Sequence, residues 1–146
     1  MPKTTFKSSV ELKEGMRCQA SARNFLVSMD EPPSLGGTDR AMNPVELLLS
    51  SLGGCLVISA QAFAGECGVE LKDINIELEG DLNTDGFLGK DPNVPAGLLD
   101  IRAKVNINTD SPSENLNKLI ETIEKRCPVS DSLRRNIPVS VSFQQS

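Results

Sequence analysis

Histidine, tryptophan and tyrosine are absent from this chain of 146 residues, and aromatic residues make up only 3% of it. Without histidine, the chain cannot form a Ser-His-Asp or Cys-His catalytic arrangement, or a zinc site that uses imidazole. With so few aromatic rings, it also lacks the stacking platforms that bind single-stranded nucleic acid. The formal net charge of −5 disfavours contact with phosphate backbones, so we do not expect nucleic acid as a partner.

Four cysteines remain as candidates for special chemistry: Cys18, Cys55, Cys67 and Cys127. They form no C-x-x-C pair and no clustered spacing, so we expect neither a thiolate zinc site nor another metal or cofactor. The N-terminal residues contain no apolar signal segment. We therefore predict a cytoplasmic protein, in which free thiols are stable and any disulfide is transient and functional.

The length and composition predict one globular domain over residues 1–146. Turn residues and apolar alternation predict strands at residues 5–12, 16–21 and 25–29, followed by a loop rich in proline and glycine. Period-2 alternation predicts further strands around residues 74–78, 99–107 and 137–143, with a long loop at 83–97 whose role the sequence does not reveal. The predicted fold class is α+β with a mostly antiparallel sheet.

A long apolar helix is predicted between the third and fourth strands. Asn43 is a good N-cap, Pro44 suits the first helical position, and Glu46 completes a capping box. The helix can run to about residue 66, before Gly68, and it is apolar nearly all round, so it is buried or spans a membrane. Serine, glycine and glutamine residues dilute the run of about 20 apolar residues that a span requires. We therefore expect a buried helix and no membrane.

A second helix is predicted to begin at the capping box of residues 111–114. It carries apolar residues at helical spacing and ends near Cys127, because Pro128 follows. A short helical turn is predicted at residues 130–135. Leu116, Leu119, Ile120 and Ile123 form the predicted buried face.

Cys55 lies inside the first long helix, directly after Gly53 and Gly54. The glycines are consistent with close packing around an inert sulfur, or with open space beside a reactive one. Ser51, Cys55 and Ser59 share one stripe of the helix, which indicates a pocket or a hydrogen-bonding partner. Cys55 lies about three turns from the helix N-terminus, beyond the reach of its dipole. A reactive thiolate there would need an Arg or Lys from elsewhere.

Cys127 also has two interpretations, as a buried residue at a helix end or as an accessible and mobile resolving thiol beside a proline turn. Cys18, on a predicted strand, and Cys67, at a helix C-terminus, are interpreted as structural. From composition and spacing alone, the inert and reactive interpretations of Cys55 and Cys127 both stay open.

The segment NPVELLLSSLGGC, which runs from Asn43 to Cys55, resembles the OsmC/Ohr family when taken with the CPVS segment that begins at Cys127. The Leu-Gly-Gly sequence at residues 35–37 matches as well. The resemblance implies an intertwined homodimer in which sheets wrap around long central helices, with sites at the subunit interface. It also implies reduction of organic hydroperoxides as an antioxidant function in oxidative stress, with Cys55 as the peroxidatic nucleophile and Cys127 as the resolving thiol.

In this family, an Arg from the N-terminal strands and a Glu in the first helical turn support the thiolate. Arg17 is the best match for the Arg, with Arg23 and Arg40 as alternatives. A redox-active disulfide between the two cysteines would be reduced by a lipoylated protein or another dithiol.

One departure from the pattern is that Val45 stands where Ohr proteins carry the Glu. Glu46 follows one residue later, turned about 100° round the helix. The chain therefore resembles an OsmC-like branch rather than a standard Ohr. The predicted function is a thiol peroxidase for organic hydroperoxides, with hydrogen peroxide as a further candidate substrate. The alternatives are a non-catalytic protein that binds a small hydrophobic ligand and a redox sensor on the same scaffold.

Overall fold

The computed structural model describes residues 1–146, which divide into two compact units, residues 1–49 and residues 50–146. The first unit contains three strands, β1 (Ser9–Glu14), β2 (Arg17–Ala22) and β3 (Phe25–Met29). They form an antiparallel sheet in the order β1-β2-β3. Gly15 makes the first turn with a φ of +58°, which glycine adopts readily. The first strand begins at Ser9, four residues later than predicted.

The loop after β3 is organised around the buried carboxylate of Asp30. This carboxylate accepts hydrogen bonds from the Thr38 hydroxyl at 2.6 Å and from the main-chain N–H groups of Glu31 at 2.8 Å and Arg40 at 3.2 Å. These bonds, with the Thr38 hydroxyl first, lower the pKa of Asp30 to about 2. A Cβ at Gly37 would lie 1.8 Å from the Glu31 carbonyl oxygen, so only glycine fits there.

Helix α1 (Pro44–Phe63) begins at the predicted capping box. The Asn43 side chain accepts a hydrogen bond from the Glu46 N–H at 2.8 Å, and the Glu46 carboxylate accepts one from the Asn43 N–H at 2.9 Å. The helix ends three residues before the predicted limit, and Gly68 follows with a φ of +70°. Glu46 therefore has a structural role at the start of the helix.

The expected burial of α1 holds for one side of the helix in the single chain. Its buried residues are Leu52, Gly53, Ser59 and Ala60, whereas Ile58 is 70% exposed. By length and composition the helix could cross a membrane, but one side of it packs into a small protein core. The opposite apolar side remains exposed.

The second unit contains a two-stranded antiparallel sheet, β4 (Asp73–Leu82) and β5 (Leu98–Asn108). Both strands were predicted from their alternation, and they pair with each other from Asp73 with Asn108 to Leu82 with Leu98. The predicted loop between them also contains a short helix, α2 (Thr84–Phe87), whose N-cap Asn83 accepts a hydrogen bond from the Asp85 N–H. The predicted α+β class with antiparallel sheets and a long helix is confirmed.

Helices α3 (Ser113–Arg126) and α4 (Pro128–Arg134) follow, and they meet at Cys127. The predicted capping box at the start of α3 is wrong. Ser111 instead uses its hydroxyl to accept a hydrogen bond from the Glu70 N–H at 2.8 Å, because that segment lies beside it in the fold. Leu119 and Ile123 are buried as predicted, whereas Ile120 is 40% exposed.

The predicted strand at residues 137–143 is absent, and residues 136–146 have no regular secondary structure. Alternating apolar and polar residues favour a strand with one buried face. A strand also needs a neighbouring strand with which to exchange main-chain hydrogen bonds. No neighbouring strand pairs with this segment within the chain.

The core lies between the C-terminal half of α1 and helix α3. Its buried residues are Ala60, Ala64, Cys67, Val69, Leu119 and Ile123. Only Ala60 of these residues belongs to α1, whereas Ala64, Cys67 and Val69 follow its end, so α3 packs on the end of α1 and on the segment after it. This packing brings Cys127 and Cys55 to the same place.

Candidate functional site

The Cys55 and Cys127 sulfurs lie 3.1 Å apart, although 72 residues separate them in the chain. Both cysteines are free thiols, and the Cys127 thiol donates a hydrogen bond to the Cys55 sulfur. A disulfide bond is about 2.05 Å long, so a closing movement of about 1 Å would join them. The structure therefore brings together the two cysteines that the family resemblance paired.

Cys127 is fully buried, so the interpretation of an accessible thiol at the helix end is wrong. Pro128 does end α3 there, but the Cys127 side chain has no exposed surface and its sulfur contacts Cys55 on α1. Burial raises the pKa of the Cys127 thiol, and the hydrogen bond to Cys55 acts in the same direction. Hydrogen bonds from the Ser130 N–H and the Ser59 hydroxyl oppose this rise and favour a thiolate.

Cys55 is partly exposed, so its sulfur is the more accessible of the pair. The two glycines before it have different surroundings. A Cβ at Gly53 would lie 2.7 Å from the Leu78 Cδ1 atom, which shows close packing of α1 on β4, whereas a Cβ at Gly54 would meet nothing within 4 Å. Close packing is thus observed at Gly53 and open space at Gly54.

The end of α3 is attached to the end of α1 by a side chain that sequence reasoning missed. Arg126, directly before Cys127, lies over the Phe63 ring at 3.9 Å and pairs with Glu66 at 3.0 Å. Exposed ion pairs contribute little by themselves, but the cation–π contact adds to this one. No sequence pattern predicted the contact between Phe63 and Arg126, because these residues are far apart in the chain and meet only through tertiary packing.

A cavity of about 550 Å³ lies beside the cysteine pair. Leu52 and Leu56, on either side of Cys55 along α1, contribute to its wall with Ser130 and Arg134 of α4. The Arg134 Nε donates a hydrogen bond to the buried Ser130 hydroxyl at 3.1 Å. Seven of its ten lining residues are apolar, and neither Cys55 nor Cys127 is among the ten. No group of three or more Cys, Asp or Glu side chains is arranged to hold a metal ion.

Other residues singled out from the sequence are Arg17, Cys18 and Cys67. Arg17 lies on β2 of the first unit and forms no salt bridge in the chain. Cys18 also lies on β2, and Cys67 is a core residue whose sulfur contacts the Thr122 hydroxyl at 3.6 Å. The roles predicted for Arg17, Cys55 and Cys127 remain predictions.

A long helix, antiparallel sheets and an adjacent pair of free thiols define an α+β protein with a candidate two-cysteine redox site. The sequence model of the family described as "OsmC-like protein" matches residues 37–142. The chain therefore belongs to the OsmC family.

Curated and solved relatives agree with this assignment. The "Hydroperoxide reductase" of Mycoplasma genitalium is 24% identical over 136 residues, which cover 90% of this chain and 89% of the relative. An OsmC-like protein from Mycoplasma pneumoniae superimposes with a TM-score of 0.77 at 20% identity, covering 91% of this chain and 89% of that one. An organic hydroperoxide resistance protein from Elizabethkingia anophelis has a TM-score of 0.68 at 20% identity, covering 92% and 93%.

Proposed function

We propose that this chain is a cytoplasmic, thiol-dependent peroxidase that reduces organic hydroperoxides in the response to oxidative stress. The observation that carries the proposal is the 3.1 Å separation of a partly exposed and a buried thiol. The hydroperoxide-related names of the relatives from Mycoplasma genitalium and Elizabethkingia anophelis support the substrate class.

In the proposed reaction, the Cys55 thiolate attacks the terminal oxygen of the hydroperoxide. The O–O bond breaks, Cys55 becomes a sulfenic acid, and the leaving alkoxide takes a proton to become an alcohol. The Cys127 sulfur then attacks the Cys55 sulfur, the S–O bond breaks, and water leaves with the Cys127 proton. An external dithiol, free or on a lipoylated protein, reduces the resulting disulfide.

Arg17 is proposed as the cation that supports the Cys55 thiolate, since it takes part in no salt bridge within the chain. Neither alternative forms a salt bridge, and of their two guanidinium groups only that of Arg23 has another contact. Arg23 lies over the Phe25 ring at 4.8 Å, and the Arg40 main chain takes part in binding the Asp30 carboxylate.

The active form is proposed to be a homodimer. Each copy is a single domain of residues 1–146. Two exposed apolar surfaces support this proposal, namely one side of α1 and the unpaired C-terminal segment. Their exposed residues include Ile58, Val139, Val141 and Phe143, which are 70%, 79%, 73% and 95% exposed. Contact with a second copy would remove this apolar surface from water.

The proposal is tested by consumption of cumene hydroperoxide with a dithiol as the reductant. Cys55→Ser should abolish turnover. Cys127→Ser should form a Cys55 sulfenic acid that dimedone traps, and turnover should fall by at least about tenfold because the resolving step is lost. Cys18→Ser is the matched control and should retain wild-type turnover. Wild-type turnover by both Cys55→Ser and Cys127→Ser would refute the proposal.

The cavity of about 550 Å³ beside the pair favours a second candidate function, binding of a small hydrophobic molecule without catalysis. Its volume is within the usual range for small-molecule pockets, about 300–1,000 Å³. Native mass spectrometry of the purified protein distinguishes the two. A retained apolar ligand in a protein that consumes no hydroperoxide would support binding.

A further inference from the structure

The two sulfurs of the pair differ in how an external reductant can reach them. In the single chain, Cys55 is partly exposed, whereas Cys127 has no solvent-accessible surface. An incoming thiolate must approach one sulfur of a disulfide roughly opposite the bond that breaks, and access decides which sulfur is attacked. The burial of Cys127 directs that attack to Cys55.

Ser59 lies next to the sulfur that must then leave. It follows Cys55 by one helical turn of α1, so both side chains point to the same side of the helix. Ser59 is only 6% exposed, and it lies one turn along α1 from Cys55, whose sulfur is 3.1 Å from the Cys127 sulfur. A buried hydroxyl in this position can donate to negative charge that develops on Cys127.

We propose that Ser59 is a catalytic residue of disulfide reduction, in which a dithiol attacks the Cys55 sulfur and the Ser59 hydroxyl stabilises Cys127 as the leaving thiolate. The proposal deepens the proposed function, since it concerns the step that resets the same cysteine pair. It does not require that a hydroperoxide formed the disulfide.

A thiolate of the dithiol forms a bond to the Cys55 sulfur, and the Cys55–Cys127 bond breaks with its electron pair on Cys127. The Cys127 thiolate is held by the Ser59 hydroxyl and the Ser130 N–H, then takes a proton from solvent, which its buried environment favours. The second thiolate of the dithiol attacks its own sulfur in the mixed disulfide. Cys55 leaves as a thiolate, and the dithiol becomes a cyclic disulfide.

Ser130 has a supporting position at the start of α4. Its N–H points to Cys127, and its buried hydroxyl accepts the hydrogen bond from Arg134. The leaving sulfur therefore has one donor from the main chain and one from a side chain. Only the side-chain donor can be removed without altering the backbone, which makes Ser59 the residue to test.

The first measurement locates the attack. The wild-type disulfide is formed with diamide and treated briefly with glutathione, a monothiol that cannot complete the second step. Acid quenching, alkylation and peptide mass mapping then show which cysteine carries the adduct. We expect glutathione on Cys55 and an alkylated Cys127. An adduct on Cys127 would overturn the proposal.

The second measurement compares rates of disulfide reduction by dithiothreitol in Ser59→Ala, Ser59→Thr and the matched control Ser51→Ala, which lies on the exposed part of the same stripe. Loss of a hydrogen bond to a charged group should slow Ser59→Ala by about tenfold or more. Ser51→Ala and Ser59→Thr, which retains the hydroxyl, should stay within about threefold of wild type.

The proposal fails if Ser59→Ala reacts as fast as Ser51→Ala, or if Ser59→Thr is as slow as Ser59→Ala. Melting temperatures of the reduced variants check that each is folded. Because diamide supplies the oxidation, these measurements give an answer even for a protein that reduces no hydroperoxide. Failure of the proposed function and failure of this inference are thus separate results.

Discussion

Closing the Cys55–Cys127 disulfide should stabilise the folded chain considerably. The bond would close a loop of 72 residues, for which the loss of chain entropy in the unfolded state corresponds to about 4 kcal/mol at 25 °C. The sulfurs already lie 3.1 Å apart, so little of this gain should be lost to distortion of the native state. For a chain of 146 residues, the melting temperature should rise by about 10 °C.

The assay compares protein oxidised with diamide and protein reduced with a dithiol in thermal and urea unfolding. Intact mass should show the loss of two hydrogens, and a non-reducing gel should show no covalent dimer. Cys55→Ser is the control, because its unfolding should not respond to diamide. Cys18→Ser should respond as the wild type does, because Cys18 is not part of the pair.

Equal or lower stability of the oxidised wild type would refute this reasoning. Such a result would mean that the two cysteines cannot bridge without rearranging the core, despite the short separation of their sulfurs. A covalent dimer on the gel would have the same meaning, since the sulfurs would then react between chains rather than within one.

Three further perturbations test the packing and the loop. Gly53→Ala should lower the free energy of unfolding by about 1 kcal/mol, since contact with Leu78 costs more than helix propensity gains, and Leu78→Ala should relieve the loss in a urea double-mutant cycle. An equal loss in both backgrounds would disprove the contact. Leu119→Ala should cost about 2–5 kcal/mol in the same assay, because this core residue is fully buried, and a loss below about 1 kcal/mol would contradict the proposed core. The pKa of Asp30 is lowered from 3.8 to about 2, so its contribution to stability is complete above the unfolded pKa and is lost as the pH falls from about 4 to about 2. Melting temperatures across this range should therefore fall less steeply for Asp30→Asn than for the wild type, and parallel curves would refute the assignment.

Features set by a few neighbouring residues could be predicted from the sequence. The capping box of Asn43 and Glu46 formed as expected, because both partners lie within one turn of helix. Pro128 ends α3 because its ring excludes helical geometry in the residue before it. The alternation of β4 and β5 predicted two strands that pair with each other over their whole length. The family of the chain also followed from local motifs, and the match over residues 37–142 confirms it.

Features that depend on a distant partner could not be predicted in this way. Ser111 had the local signature of an N-cap, but the Glu70 N–H lay within reach, so its hydroxyl bonds there instead. The segment 137–143 had the alternation of a strand, but no strand of the chain pairs with it. In both cases the local sequence favoured the predicted structure. A distant residue that formed a contact, or a partner strand that was missing, prevented that structure from forming.

The candidate site combines both kinds of information. Sequence motifs selected Cys55 and Cys127 from the four cysteines, and helical periodicity placed Ser59 on the same stripe as Cys55. The 3.1 Å contact, the complete burial of Cys127 and the position of Ser59 beside it required the folded chain. The ends of a helix could be predicted from the sequence because they depend on the backbone angles of a few neighbouring residues. The distance between sulfurs 72 residues apart depends instead on how α3 packs against α1.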